Sequence, residues 1–292
     1  MTGDRAITVL ASGPQALVQD LGRTGYARLG VPPSGALDRP ALRLANRLVG
    51  NAESAAGVET LLGGLRVRAE CTCVVTVTGP AVRVTVNDRP VDSHTPLHLA
   101  AGDVLALDVP AGGLRNYLAV GGGLAVPAEL GSRSTDVLSG IGPPPLRTGD
   151  VLPLGARIGL PVGADELGSS PVPELVSVPV LLGPRDDWFA APAGQLAGSR
   201  WRVSPESNRI GLRLTGPALH RADVFDGVEL PSEPVVTGAV QVPANGRPLV
   251  FLADHPTTGG YPVIGVVPPA ALPMLGQARP GTVIMFRPTN GG

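Results

Sequence analysis

The stretch "AVRVTVNDRP", residues 81–90, decides how the chain is read. Val82, Val84 and Val86 alternate with Arg83 and Thr85, the period of two that sends successive side chains to opposite faces of a strand. Asn87-Asp88 follows, a pair suited to a tight hairpin turn. The same pattern extends in both directions. "ITVL" (7–10), "GDVLALDV" (102–109), "YLAVGGGL" (117–124), "GDVLPLG" (149–155) and "TVIMFRP" (282–288) are short apolar runs, several of them opening or closing on glycine. Gly (40) and Pro (32) make up about a quarter of the 292 residues, dispersed between these runs. This spacing predicts a mainly β chain of short strands and tight turns.

One segment breaks the pattern. Residues 38–49 place Ala41, Leu42, Ala45, Leu48 and Val49 on one helical stripe, with Asp38 as cap, Pro40 in the first turn and Gly50 as the stop. A shorter helix is expected after Pro268-Pro269, cut or kinked by Pro273. Residues 1–155 read as an N-terminal β-rich half and 175–292 as a C-terminal one. The segment 156–174, mixed in Gly, Pro, Ser and acids, reads as their connection. "VPVLLGPRDD" echoes "ITVLASGPQA", and Thr215-Gly216-Pro217-Ala218 echoes Thr78-Gly79-Pro80-Ala81. The unequal spacing makes an internal duplication a weak inference.

Composition excludes several classes of function. The net charge is −1 and aromatic residues are 3% of the chain, so neither a basic nucleic-acid surface nor a base-stacking platform is expected. No apolar run approaches a membrane span, and the first residues lack a secretory h-region, so a cytoplasmic protein is expected. All 23 basic residues are Arg. Without lysine these residues form no Schiff base, fill no lysine-bearing phosphate loop and carry no biotin of their own. Cys71 and Cys73 fall on one strand face, near the upper limit for a bridge, and read as buried thiols. The four His are scattered without a zinc spacing, so no metal site is expected.

Five polar clusters stand between the apolar runs: "VQDLGRTGY" (18–26), "PSGALD" (33–38), "LGSRSTD" (130–136), "SNRIGLRL" (207–214) and "DHPTTGGY" (254–261), the last approached through "GAVQVPANGRP" (238–248). Each has a purely structural reading. Asp20 to Arg23 fits a turn with a local ion pair. Ser34 and Asp38 fit helix capping. Ser132, Ser134 and Asp136 fit turn residues bonding their own backbone. Asn208 and Asn245-Gly246 fit turns, and the double glycine fits positive φ. The functional reading of "DHPTTGGY" is a site for a small amide or carboxylate. Gly259 and Gly260 would allow close backbone approach, Thr257, Thr258 and Tyr261 would supply hydroxyls, and Asp254 would act as base or orient an amide N–H. Arg133 or Arg209 would anchor a carboxylate. The residues alone leave both readings open. No serine elbow is present, and His255 beside Asp254 need not act with it, since strand neighbours point to opposite faces.

Taken in order, the clusters resemble the biotin-dependent carboxyltransferase-like family, which includes the C-type subunit of 5-oxoprolinase, the kinase-inhibitor antagonist and the second subunit of allophanate hydrolase. "LVQDLGRTGYARLGVPPSGALDRPALRLANRLVGN" (17–51) resembles that family's N-terminal signature. "NYLAVGGGL", "LGSRSTD", "SNRIGLRL", "GAVQVPANGRP" and "TTGGYP" fall where the family has them. The chain departs from the family's usual pattern at Pro256 and Val263, where Gln and Lys are common. The resemblance implies a cyclophilin-like β-barrel architecture in two related halves, and a hetero-oligomer with a smaller companion subunit and possibly a third subunit. The implied activity is ATP-dependent opening of 5-oxoproline to glutamate, with ATP held in the complex. The implied substrate-binding set is Ser34, Asp38, Arg133, Ser134, Asn208, Arg209, Gln241, Asn245, Thr257, Thr258, Gly259, Gly260 and Tyr261, with Asp254 catalytic. Two other readings come with the resemblance. One is a carboxyltransferase for urea or a similar amide, served by a biotinylated partner. The other is a non-enzymatic subunit that binds and antagonises a small kinase-inhibitor-like partner.

Overall fold

A computed structural model describes residues 5–162 and 171–289, so residues 163–170 of the expected connection lie outside the described residues. The chain divides into two compact units. The first holds residues 1–23, 34–136 and 140–172. The second holds 24–33, 137–139 and 173–292.

The first unit is built from eleven strands in two sheets. In chain order they are β1 (Ala6–Ser12), β2 (Gln15–Gln19), β3 (Gly57–Leu61), β4 (Leu65–Ala69), β5 (Cys73–Thr78) and β6 (Val84–Val86). There follow β7 (Arg89–Val91), β8 (Leu97–Leu99), β9 (Val104–Leu107), β10 (Arg115–Val120) and β11 (Val151–Pro153). One sheet runs β11-β1-β4-β9-β6-β7 and the other β2-β3-β10-β5-β8, with every pairing antiparallel. The opening stretch forms the β6–β7 hairpin. Val86 pairs with Arg89 across Asn87 and Asp88, which lie at φ 50 and 62, the double left-handed turn that matches strand twist. Val84 is buried and Val82 and Val86 pack against the core, as the alternation requires.

Ile7, Val9, Val67 and Leu105 from one sheet share a core with Val58, Val75, Val77 and Leu118 from the other. The strands β5 and β10 are buried along their whole length because their second face is also covered. Helix α1 (Arg39–Leu48) lies there, with Leu42 against Tyr117, and with Ala45 and Val49 against Val74 and Ala119. Its boundaries follow the sequence signals. Asp38 accepts from the Ala41 N–H at 3.1 Å, a cap worth about 1 kcal/mol, and Pro40 sits in the first turn. The described part of the 156–174 segment is no free tether. Val162 N–H donates to the Leu48 carbonyl, and a Cβ on Gly50 would stand 2.5 Å from the Leu160 carbonyl oxygen. Cys71 and Cys73 are free thiols, with Cys73 in the core, where burial pushes it up to about 11.

The second unit is a closed seven-stranded barrel. Its strands, with a small ribbon, are β12 (Leu175–Leu182), β13 (Trp201–Val203), β14 (Gly211–Thr215), β15 (Glu233–Pro234), β16 (Ala239–Gln241), β17 (Leu249–Phe251), β18 (Thr258–Gly259), β19 (Val263–Val266) and β20 (Val283–Thr289). The barrel order is β12-β19-β16-β17-β14-β13-β20, closed by the parallel pairing of β20 with β12. Closure removes the sheet edges that would otherwise invite pairing. Val176, Val178, Val180, Trp201, Leu212, Val250, Ile284 and Phe286 are all buried, and the Trp201 and Phe286 rings meet at 5.3 Å. The expected second helix is α3 (Leu272–Gly276), preceded by a short α2 (Pro192–Ala197). Pro273 sits in the first turn of α3, where its missing N–H has no helical partner to lose. The mainly β, barrel-containing architecture expected from the sequence is the one adopted.

Candidate functional site

In the first unit three of the five polar clusters meet around Asp20, just past the end of β2. Its Oδ1 accepts from the Ser132 and Ser134 hydroxyls, both at 2.6 Å, and from the Gly22 N–H at 2.8 Å. Its Oδ2 accepts from the Arg133 N–H at 2.7 Å. The chain bends at Leu21 and Asp20 holds the Gly22 N–H, but the described residues show no ion pair between Asp20 and Arg23. The carboxylate instead ties down the 132–134 loop. The "PSGALD" loop crosses at the same point. Ser34, buried at φ 51, donates to the Thr135 carbonyl at 3.0 Å, which also accepts from the Gln19 amide at 2.9 Å. A Cβ on Gly35 would stand 2.7 Å from the Gly22 nitrogen, so only glycine allows the two loops to close on each other.

A buried network fixes the far end of that loop. Tyr117 donates its hydroxyl to Glu59 Oε2 at 2.8 Å and accepts from the Asp38 N–H at 2.8 Å, while Glu59 Oε2 also accepts from the Leu37 N–H at 3.0 Å. Arg115 pairs with Glu59 at 3.4 Å. Burial, then the Glu59 charge, hold the Tyr117 phenol well above its ordinary value, so it is a fixed donor. Asp38 is thus both cap and anchor. Arg133 is half-buried, and its Nε donates to the Val126 carbonyl at 2.8 Å.

In the second unit "SNRIGLRL" and "DHPTTGGY" are joined by one ion pair. Arg209 grips Asp254 with two parallel bonds, Nε to Oδ2 at 2.8 Å and Nη2 to Oδ1 at 3.0 Å, with side-chain exposures of 1% and 0%. Val137 N–H adds a third bond to Oδ2 at 3.2 Å. Asn208 shapes the turn that delivers Arg209, its Oδ1 accepting from the Ile210 N–H at 2.9 Å. Asp254 and His255 have separate partners. His255 Nδ1 faces the Pro256 carbonyl at 2.7 Å, so this nitrogen carries a proton, and Nε2 lies 3.0 Å from the Thr237 hydroxyl.

The double glycine has a definite cause. Neither Gly259 nor Gly260 has positive φ, so the turn-geometry reading does not hold. A Cβ on Gly259 would stand 2.5 Å from Gln241 Nε2, and one on Gly260 would stand 3.3 Å from the Leu230 carbonyl oxygen. The close approach is made by the chain's own groups. Gln241 is buried there and donates to the Tyr261 carbonyl at 3.1 Å. Thr258 and Gly259 form β18, which pairs with β15, and Val235 N–H donates to the Thr257 carbonyl at 3.0 Å. The Tyr261 side chain is 47% exposed at the rim of a cleft of about 910 Å³. Asn245 and Gly260 line this cleft with it. So do His220, Arg221, Asp223, Asp226 and Glu229, which the sequence pattern did not single out because they lie in a loop without periodicity. Asn245 also closes its own turn, with Oδ1 accepting from the Arg247 N–H at 3.0 Å.

The expected site residues therefore fall in three places. Ser34, Asp38, Arg133 and Ser134 surround the Asp20 cluster. Asn208, Arg209 and Asp254 form the buried ion pair and its turn. Asn245, Gly260 and Tyr261 line the cleft, with Gln241 and Gly259 packed together beneath and Thr257 and Thr258 in the adjoining ribbon. Asp20, Gln19 and Arg23 belong to the first group, although the sequence reading treated Asp20 and Arg23 as a turn.

The two units and their polar clusters are those of a known family. The chain belongs to the carboxyltransferase domain family, subdomains A and B, matched over residues 29–288. It is 38% identical over 287 residues to the C-type subunit of 5-oxoprolinase from Escherichia coli (strain K12), covering 96% of this chain and 90% of that protein. It is 35% identical to the urea amidolyase of Lachancea kluyveri, of which it spans only 17%. The crystal structure of the K. lactis urea amidolyase superposes with a TM-score of 0.91 at 33% identity, over 98% of this chain and 19% of that one.

Proposed function

We propose that this chain is the C-type subunit of an ATP-dependent 5-oxoprolinase, opening 5-oxoproline to glutamate together with a smaller companion subunit and a third subunit. The observation that carries this reading is the 38% identity to the E. coli protein over 96% of this chain. The urea amidolyase matches are lower, at 35% and 33% identity. ATP is held in the complex, on a partner or on arginines of this chain, since a chain without lysine lacks the usual phosphate-loop cation. The companion surface and the cytoplasmic setting belong to the same proposal.

Opening a lactam by phosphorylation and hydrolysis requires that the ring be oriented and its carboxylate held while a partner delivers phosphate. The cleft at Tyr261 and Asn245 supplies hydroxyl and amide groups for such a ring, on a ribbon whose position is fixed by Gln241. Asp254 enters this reading as a positioning residue. Both of its oxygens face Arg209 in full burial, a geometry that anchors the start of the 254–261 loop.

The test is reconstitution. The chain is co-purified with its companion subunits and ADP release is measured with 5-oxoproline, or with urea in the presence of a biotinylated carrier. ADP release that depends on 5-oxoproline and on this chain is the expected result. Carboxyl transfer to urea with no response to 5-oxoproline would move the chain to the carboxyltransferase reading.

A further inference from the structure

The cleft that holds Tyr261 and Asn245 has a charge pattern of its own. Arg221 is the one guanidinium among its lining residues, against three carboxylates, Asp223, Asp226 and Glu229. All four belong to one loop, and contacts at both ends fix its shape. The Ala222 N–H donates to the Trp188 carbonyl at 2.9 Å, and the Phe225 ring stacks on the Trp188 indole at 4.5 Å. The Arg221 guanidinium stands over the same indole, 5.6 Å from the ring centroid. Its Nη1 donates to the Val228 carbonyl at 2.8 Å, which closes the loop and brings the cation to residue 228, between Asp226 and Glu229 in the chain. A planar fork held in this way presents its remaining donors at little cost in side-chain freedom. Nε and Nη2 make no hydrogen bond among the described residues, and no carboxylate there lies within ion-pair distance of Arg221. Asp223, Asp226 and Glu229 are exposed and equally without an ion pair among the described residues.

We propose that this cleft recognises an α-amino acid in its zwitterionic form, with the carboxylate on Arg221 and the ammonium among Asp223, Asp226 and Glu229. A simple anion meets one guanidinium and three like charges there, and a simple cation meets the guanidinium. A ligand that carries both signs on neighbouring atoms satisfies the two sets together. That the amino acid is glutamate rests on the 5-oxoprolinase reading. Ring opening creates the charge that the loop is built to meet. Net of the phosphate that comes and goes, the oxygen of one water joins the ring carbonyl carbon, the C–N bond breaks, and both protons of that water end on the nitrogen. An uncharged lactam N–H thereby becomes an ammonium. Carboxylates placed beside it favour the opened product over the ring, while Arg221 holds the α-carboxylate that ring and product share. The cleft, at about 910 Å³, has room for either.

The experiment is calorimetric titration of the purified full chain with glutamate, 5-oxoproline and glutarate. Glutamate and 5-oxoproline carry the same net charge, so a difference between them reports the ammonium, and glutarate is glutamate without it. The wild type is expected to bind glutamate about tenfold more tightly than either, since three exposed carboxylates each add a small pairing. The preference should shrink as salt is raised. The double variant Asp226→Asn with Glu229→Gln, both at exposed positions, should lose most of the preference while keeping its melting temperature. Arg221→Met should weaken all three ligands. Equal binding of glutamate and glutarate by the wild type, a contrast that needs no variant to fold, overturns the proposal, as does no binding of glutamate or a preference that the double variant retains in full. A glutamate preference carried by Asp226 and Glu229, in a chain whose complex gives no 5-oxoproline-dependent ADP release, would keep the amino-acid site and remove the 5-oxoprolinase reading. ADP release that depends on 5-oxoproline, from a chain that binds glutamate and glutarate alike, would do the opposite.

Discussion

Asp20 in the first unit and Asp254 in the second are both buried carboxylates at the edge of a polar loop, and they are neutralised in opposite ways. Asp20 is hydrogen-bonded by uncharged donors, two hydroxyls and two backbone N–H groups, with the Arg39 charge acting on it without a direct ion pair. Asp254 is gripped by a guanidinium with two parallel bonds. A carboxylate held by neutral donors can lose one and re-aim another, since hydroxyls rotate. A carboxylate paired with a buried cation cannot be removed without stranding that cation. The first arrangement organises three loops, and the second ties the 207–214 and 254–261 loops to each other and to Val137.

The largest expected effect follows from the buried ion pair. Asp254→Ala should destabilise the chain by about 3–5 kcal/mol, because it removes one partner of a bidentate pair at 1% and 0% exposure and the bond from the Val137 N–H with it. Urea unfolding of the full chain measures it. The double variant Arg209→Met with Asp254→Leu should recover most of the loss, since it removes both charges. A single variant within about 1 kcal/mol of wild type would show that the ion pair anchors nothing. Asp254 as a catalytic base carries the opposite expectation, lost activity on an intact fold, so one melting curve separates the two roles.

Asp20→Asn is expected to cost less, about 2–3 kcal/mol. The amide oxygen is kept for Ser132, Ser134 and Gly22 and the NH₂ is set against the Arg133 N–H. The same unfolding measurement applies. A loss equal to that of Asp254→Ala would erase the distinction between neutral and ionic compensation.

The difference between the units also marks what the sequence made legible. Strands with strict alternation, such as Val82 to Val86, and a helix with cap and stop, such as 38–49, are local facts, and the structure follows them. The polar clusters were legible as clusters, but their partners were not. Asp20 and Ser134 are 114 residues apart and Arg209 and Asp254 are 45 apart, and such pairings are made by tertiary packing. Asp20-Leu21-Gly22-Arg23 read as an ion-paired turn because proximity in sequence was the only guide, whereas in the fold the two charges turn to different partners. The assignment of residues 24–33 and 137–139 to the second unit has no compositional signal at all. His220 to Glu229 were missed for a related reason, since a loop that lines a cleft has no period to detect.

Gly259 offers a smaller and more local test. Gly259→Ala should cost about 1 kcal/mol, since the new methyl meets the end of Gln241, a group with some freedom although it is tied to Tyr261. Gln241→Ala alone loses that bond, and the double variant should cost less than the sum of the two, because the overlap is gone. Additive losses in the unfolding free energies would mean that the glycine is needed for something other than Gln241.

The smallest effect is one of pH, and it lies in the first unit. His94 is buried, and desolvation holds its imidazole below the ordinary value, opposed by a backbone hydrogen bond to Gly79. A lowered folded value means that the unfolded chain binds the proton more readily. Between the unfolded value, near about 6.5, and the lower folded one, stability falls as pH falls, because the unfolded state takes up a proton that the folded state refuses. Above that window the imidazole is neutral in both states and contributes no slope. Carboxylates also weaken in acid, so the comparison is internal. Unfolding free energies of wild type and His94→Gln are measured at pH 7.5 and 5.5, and the wild type should lose more over that interval than the variant. Equal losses would show that His94 accepts its proton as easily in the fold as in the open chain.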